Sequence, residues 1–363
     1  MSAPSVARIP ANTAWERLRA AFAASRIARV SLLVLGLLYL AAILADWITP
    51  YGPDDESRTH SWAPPSEIHW VLPEGGVWPH VHPVSFTFDG NAQRIYVPDT
   101  SRAVPIRLFV NGRLFGLDSA EAAATVEGGS SARLYLLGAD ARGRDLLTRL
   151  IHGGRVSLSI GIVGVAVSTV IALIVGGIAG FFGGWVDRLL MSFCEIVMLI
   201  PGFYLLMLLR ASLPLDWDSR VVYLSIVLIL SFIGWAGLAR VVRGLVQSLR
   251  SADYIVASRA LGVRPVVILL RHALPQTFGF IAIQATLSIP GYIVAESGLS
   301  LLGLGIQDPQ TSWGNLLQEA MSIAEIRLHP WSLIPGLFLF AAVLSYNLAG
   351  DILRDALDPR SSR

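Results

Sequence analysis

The sequence predicts an all-α polytopic membrane protein of six transmembrane helices, with a small β-containing insertion between the first and second. Three observations lead there. Of 363 residues, 53% are hydrophobic and only 15% charged, against about a quarter charged in a soluble domain. Six apolar stretches, at 30–48, 156–181, 189–209, 221–238, 278–295 and 333–348, reach or approach the ~20 residues that cross a hydrocarbon core. The densest arginine clusters outside these stretches fall on one side of a six-span count.

Ahead of the first span lie Arg8, Arg17, Arg19, Arg26 and Arg29. Between the fourth and fifth lie Arg240, Arg243, Arg250, Arg259, Arg264 and Arg271, against Asp253 alone, and Arg354, Arg360 and Arg363 follow the sixth. With six crossings all three segments share a side, which the positive-inside rule makes cytoplasmic. Both termini are then cytoplasmic and residues 49–152 external. A competing reading of the first span is a cleaved signal peptide, which leaves the other five spans oriented as before.

All 28 basic residues are arginine, and without a lysine there is neither a P-loop lysine for ATP phosphates nor a Schiff-base lysine. The one cysteine, Cys194, lies in an apolar run and reads as a small packing residue. Neither H-E-x-x-H nor G-x-S-x-G occurs, which removes the support for a membrane-embedded protease. No inverted repeat points to an ion-coupled secondary transporter.

Taken in order, residues 1–29 form a cytoplasmic segment. There Thr13-Ala-Trp-Glu16 reads as a capping box, and Trp15, Leu18 and Phe22 recur at helical spacing. Both a helix on the membrane surface and a frayed tail fit. Residues 30–48 are the first span. The external segment, 49–152, is too polar for lipid and too long for a simple loop. Val84-Ser-Phe-Thr-Phe88 leads through Asp89-Gly90 to Arg94-Ile-Tyr-Val97. Ile106-Arg-Leu-Phe-Val110 meets Arg113-Leu-Phe-Gly-Leu117 across Asn111-Gly112, whose residues accept the positive φ of a type I′ turn. A further strand is expected at Arg133-Leu-Tyr-Leu-Leu137. His80-Val-His82 would put two rings on one strand face; with no cysteine or acidic set beside His60, His69, His80 and His82, exposed, hydrogen-bonded histidines are expected rather than a metal site.

Residues 153–363 form the five-helix core, with a cytoplasmic loop at 240–277. In that loop, 255–261 reads as a short helix stopped by Gly262, and Pro265 opens a further helix to about 273. A helix–turn–helix on the cytoplasmic face could dock into a soluble partner. Asp253-Tyr-Ile-Val-Ala257-Ser-Arg-Ala-Leu-Gly262 with Leu270-Arg-His-Ala-Leu274-Pro275 resembles the EAA loop of importer-type ABC permeases. Val256 stands where that motif has glutamate, Ser258 where it has its second alanine, and His272 where it has isoleucine.

Four more stretches narrow the resemblance to the C-type permeases of dipeptide, oligopeptide and nickel importers. They are Leu137-Gly-Ala-Asp140-Ala-Arg-Gly143-Arg144-Asp145 with Gly154-Arg155-Val-Ser157; Gly180-Phe-Phe-Gly183-Gly184-Trp185-Val-Asp187-Arg188; Ala295-Glu296-Ser-Gly298-Leu-Ser300 with Ser312-Trp313-Gly314-Asn315; and Asn347-Leu-Ala-Gly350-Asp351 with Asp358-Pro359-Arg360. The resemblance implies the type I importer fold in a bacterial inner membrane and no catalytic residue, cofactor or metal in this chain. It implies a second, different permease subunit, two ATPase subunits that bind the ATP, and an external binding protein; no nucleic acid is expected, and lipid surrounds the spans. It assigns Asp253, Tyr254, Ala257, Ser258, Ala260, Leu261 and Gly262 to coupling with the ATPase. The external segment is longer than is usual in that subfamily.

Intramembrane acids are functional candidates. Glu296, with Ser300, could face a translocation cavity or be buried at a helix contact, and the two readings stand level. Glu195 reads as a buried contact. Arg144, Asp145 and Arg149 are expected to hold the external segment to the bundle, and Trp313 to lie along the outer membrane interface.

Overall fold

In lipid a backbone must satisfy its own hydrogen bonds, so apolar runs of this length can only be helices. The computed structural model describes residues 19, 22–23, 25–72, 76–90, 93–118, 131–214 and 217–357. The capping box at Thr13 and Glu16, with Trp15 and Leu18, lies outside them; Phe22 is helical. The helices are α1 Arg26–Ile43, α2 Leu146–Phe182, α3 Gly184–Leu199, α4 Gly202–Ala211 and α5 Ser219–Leu249. There follow α6 Asp253–Ala260, α7 Pro265–Leu301, α8 Trp313–Gln318, α9 Ile323–Leu328 and α10 Ile334–Leu357. A one-turn helix, Ala45–Ile48, extends α1.

Among the described residues five helices are long and apolar enough to cross a membrane, and the expected third span is the pair α3–α4, bent by 82°. Proline causes the bend. Pro201 has no N–H to donate and biases its predecessor away from helix; Ile200 and Pro201 are accordingly extended, with ψ of 124° and 118°.

The packing shows that this pair nevertheless returns across the bundle. Tyr223 donates to Ser159 Oγ at 3.0 Å, Ser231 Oγ to the Gly164 carbonyl at 3.1 Å, and Gly176 and Gly180 abut the Ala239 and Arg243 carbonyls. Partners advance together, so α2 and α5 run parallel. Along α3–α4 they advance oppositely: Asp187 pairs with Arg243, Phe193 stacks on Trp235, and Gly202 meets Ile233. The insertion therefore caps one end of the bundle and α6 the other.

The face of α2 that meets α5 and α7 is bare. Gly164, Ser168, Ala172, Gly176 and Gly180 recur every fourth residue, a small-residue repeat that lets backbones touch where lipid supplies no hydrophobic drive. Ser168 Oγ lies 3.2 Å from the Ser231 carbonyl and also bonds the Tyr292 hydroxyl. The repeat is visible in the sequence itself.

Helix ends overrun the apolar runs. α2 starts three turns before residue 156, because Asp145 caps it by accepting from the Thr148 amide at 2.8 Å. The separate helix expected at 265–273 is instead the first part of α7. A π-turn, Leu269–Ala273, precedes Pro275, and the Leu274 amide reaches back to the Leu269 carbonyl. That wider register accommodates the donor that Pro275 lacks.

The insertion holds a four-stranded antiparallel sheet ordered β1-β2-β5-β6 and a β3-β4 pair. Its strands are β1 His69–Val71, β2 Val77–Val81, β3 Val84–Phe88, β4 Arg94–Pro98, β5 Val104–Val110 and β6 Arg113–Leu117. Asn111 and Gly112 have φ of 52° and 76°, as the expected turn requires. The strand expected at 133–137 does not form. Leu134 and Tyr135 are both buried, which the alternation of a one-faced strand forbids, and their amides go to the Tyr51 hydroxyl and Ser66 Oγ.

A methyl group added at Gly176 would lie 2.3 Å from the Ala239 carbonyl oxygen, whereas one at Gly244 meets nothing within 4 Å. Gly176→Ala should lower the thermal midpoint in detergent, and Gly244→Ala should leave it unchanged or raise it, since alanine is the better helix former by about 1 kcal/mol. Equal midpoints for the two variants would contradict the close-packed seam.

Candidate functional site

The end opposite the insertion carries α6. Its amphipathic stripe has been reduced to one anchor: Ile255 is fully buried among Phe181, Val242, Val246, Ile268 and Leu269. Arg259 covers the Phe181 ring from 5.0 Å. The remaining candidate residues, Asp253, Tyr254, Ala257, Ala260, Leu261 and Gly262, are exposed, with Ser258 half-buried and bonded to the Tyr254 carbonyl at 2.7 Å. The helix stops as expected. Gly262 has φ of 74°, its amide reaches the Arg259 carbonyl and that of Val263 the Ser258 carbonyl, a Schellman pair. On either side of the stop, Leu261 is 83% exposed, and Val256, Val266 and Leu270 are more than half exposed. Apolar surface this dense at a polar end is available to a partner.

Glu296 and Ser300 lie at the insertion end, fully enclosed by the chain. Ser300 Oγ donates to Glu296 Oε1 at 2.7 Å and Ser157 Oγ to Oε2 at 3.2 Å. Each serine oxygen accepts in turn, Ser300 from the Ile306 amide and Ser157 from the Trp313 amide. The arrangement fastens α2, α7 and α8 together, and a side chain enclosed by its own chain offers a cavity no surface. Glu195, read as a buried contact, is instead exposed, beside Ser192 and Arg240 in a cleft of about 440 Å³.

Trp313 is also corrected. It is buried rather than interfacial, because Gly154 leaves room for the indole and the Leu150 carbonyl takes its N–H at 3.0 Å. Ser312 and Asn315 cap α8 reciprocally.

Nearby is an ionic knot built on the buried Asp140, Arg144 and Arg149, with the half-buried Glu319 and the exposed Asp308 at its rim. Asp140 accepts from Arg144 Nε at 2.7 Å and Arg149 Nη1 at 2.5 Å; Asp308 accepts from both arginines at 2.9 Å; Glu319 lies 3.2 Å from Arg149. Burial pushes Asp308 up, but the Arg149, Arg144 and Arg142 guanidiniums outweigh it and hold the carboxyl below its usual range. Glu319, buried and facing Asp140 as well, is raised. The sequence reading named Arg144 and Arg149 but had no local signal for Asp308 or Glu319, about 160 residues on. Asp145 belongs to a different function. It is the α2 cap, and burial pushes it up to about 6 although Thr148 donates to it twice.

Of the histidines expected to be exposed, His60 and His80 are buried. His69, His80 and His82 gather with ring centroids 4.8–5.8 Å apart, and Nδ1 of His80 and of His82 faces a backbone carbonyl. Among the described residues no three His, Cys, Asp or Glu side chains converge as metal ligands.

A bent-pair, six-crossing helical membrane protein with a capped, exposed loop helix between its fourth and fifth crossings is a permease-type transport subunit. The family model for the binding-protein-dependent transport system inner membrane component matches residues 172–363, and that for the N-terminal TM domain of oligopeptide transport permease C matches 13–65. The chain belongs to this family of ABC importer permeases. It is 41% identical over 240 residues to the oligopeptide transport system permease protein OppC of Haemophilus influenzae, covering 66% of this chain and 73% of the relative. To the dipeptide transport system permease protein DppC of Bacillus subtilis it is 28% identical, over 96% of this chain and 86% of the relative. To the glutathione transport system permease protein GsiD of Pectobacterium atrosepticum it is 38% identical, over 64% and 75%. A solved structure of the MetNI methionine ABC transporter aligns with 58% of this chain and 97% of its own at a TM-score of 0.45 and 20% identity.

Removing one member of a buried ion network strands its partners, at a cost of about 3–5 kcal/mol. Arg149→Met should therefore lower the unfolding midpoint far more than Arg188→Met at the opposite, exposed turn. Similar midpoints for the two variants would show that the knot contributes nothing.

His60 supplies a pH signature. Burial, with Arg133 nearby, holds its imidazole down at about 4, so the folded state resists the proton that the unfolded chain takes up near 6.5. The insertion should be fully stable above that value and lose stability as pH falls from about 6.5 towards 4. Protease resistance of the insertion should track this window, and His60→Gln should flatten it.

Proposed function

We propose that the chain forms half of the translocation pathway of a bacterial di- or oligopeptide importer, driven by ATP that its partners hydrolyse. Arginine placement supports a cytoplasmic position for α6 and both termini, with the insertion outside. On this reading residues 1–29, the first span at 30–48, the insertion at 49–152 and the core at 153–363 are the working units. A second, different permease subunit completes the pathway, two ATPase subunits grip the loop at 253–275, and an external binding protein delivers substrate. The chain itself supplies no catalytic group and binds no cofactor. The names of its oligopeptide, dipeptide and glutathione transport relatives support peptide as the substrate class.

The observation that carries the proposal is α6 with its single buried anchor and its exposed apolar face. Tyr254, Ala257, Ala260 and Leu261 contact the ATPase, Asp253 and Ser258 define the helix, and Gly262 ends it. Closure of the ATPases around ATP favours one arrangement of α6, and a ligand shifts such an equilibrium only by binding the two states differently. Glu296 and Ser300 act behind the pathway wall, holding α7 against α2 and α8.

Val256→Asp with Leu261→Asp should abolish co-purification of the ATPase subunits and dipeptide uptake, while the spans still insert. Two lost apolar contacts are worth more than about 3 kcal/mol, over a hundredfold in affinity. Undiminished ATPase recovery would refute docking at α6. Mass spectrometry of ligand retained by the cognate binding protein tests the substrate class separately.

A further inference from the structure

The insertion bares a group of apolar side chains at one end of the four-stranded sheet. Leu108 and Phe109 are 63% and 71% exposed, and Val71 and Val77 are 73% and 75% exposed. Val71 pairs with Val77, and the register of His80 with Pro105, continued three residues, brings Val77 opposite Leu108. The Asn111-Gly112 turn closes the same end. Leu108 and Phe109 are sequence neighbours, and strand alternation would hide one of them. Phe109 escapes alternation with a φ of 58°, a left-handed conformation unfavourable for a residue that carries a side chain. A patch of this kind needs an occupant.

Its position says which. Arg113 Nη1 donates to the Thr49 carbonyl at 2.9 Å and to that of Tyr51, tying the turn to the end of the first span. The Phe109 ring lies 6.5 Å from that of Trp47. Eighteen residues separate Arg29 from Trp47, ~27 Å at the helical rise, nearly the ~30 Å hydrocarbon thickness. With Arg26 and Arg29 marking one membrane surface, Trp47 marks the other, at the level where tryptophan concentrates. The stripe leading there is apolar and exposed throughout: Leu33, Leu37, Leu40 and Ile43, then Trp47 and, beside it, Phe109. The lipid-facing surface of α1 thus continues without a break onto the β5–β6 turn. At the same level the exposed Asp46 carboxylate is paired with Arg155 at 2.8 Å and with His152 at 3.1 Å, so it does not stand there as a bare charge.

We infer that the β5–β6 turn, led by Leu108 and Phe109, sits in the interfacial layer of the adjacent leaflet and anchors the insertion to lipid. The anchor goes beyond the transport function and does not rest on the identity of substrate or partners. Two apolar side chains on a turn already tethered to a span need little free energy to stay down, because the span has met the cost of localisation.

The test is site-directed nitroxide accessibility in the assembled transporter, reconstituted in phosphatidylglycerol–phosphatidylcholine vesicles with Cys194→Ala as background. Labels go at Leu108→Cys and Phe109→Cys, and at Thr100→Cys in the exposed turn at the other end of β5. The expected result is a ratio of oxygen to aqueous nickel-complex collisions several-fold higher at 108 and 109 than at 100. Equal ratios at all three positions would place the turn in water and overturn the inference. Suppression of both collision rates at 108 and 109 would show a protein partner there instead, which also overturns it. Leu108→Cys leaves the Phe109–Trp47 contact in place, so it reports even where Phe109→Cys loosens the turn.

Discussion

The bare face of α2 is the constraint on which the rest of the molecule depends. Lipid offers no hydrophobic reward for helix association, so α2 and α5 are held by contact area, and contact area needs backbones that can touch. Glycine, serine or alanine at every fourth position from Gly164 to Gly180 permits that approach, with the Ala239 and Arg243 carbonyls as close neighbours. Since α2 and α5 run parallel, the chain between them must return, and the Pro201 bend shapes that return. The direction of every later element follows.

Both ends of α2 are fastened by means suited to their surroundings. At the insertion end the chain leaves lipid, and charges can be buried if each is paired: Asp140, Arg144 and Arg149 are buried, and with Asp308 and Glu319 at the rim they lock three distant segments. Glu296, one step deeper, is met by serine hydroxyls instead of arginine. At the other end Phe181, in the last turn of α2, is covered by Arg259 and packs with Ile255 of α6. A single continuous helix therefore joins the insertion to the docking loop. Under the proposed function, force applied at α6 meets a strut and not a flexible linker.

Much of this was legible in advance. The apolar runs give the crossings because length and hydropathy are all that a span requires. The Asn111-Gly112 turn and the Gly262 stop were readable because both depend on positive φ, which few residues accept. Histidine burial was not: the surroundings of His60 and His80 come from residues such as Tyr135 and Val104, remote in sequence. Glu195 was misjudged, and the two readings of Glu296 stood level, for the same reason. Helical periodicity places a residue on a face but leaves open what covers that face.

The sequence by itself determined the number of crossings, the Asn111-Gly112 turn, the Gly262 stop and the family, because each is written in composition or in the conformational limits of single residues. Only the tertiary structure decided which charges meet, which acid is enclosed and which is open, and where the insertion's apolar edge comes to rest. Those outcomes depend on pairs of residues up to about 170 positions apart, brought together by the packing of helices whose facing surfaces no local pattern specifies.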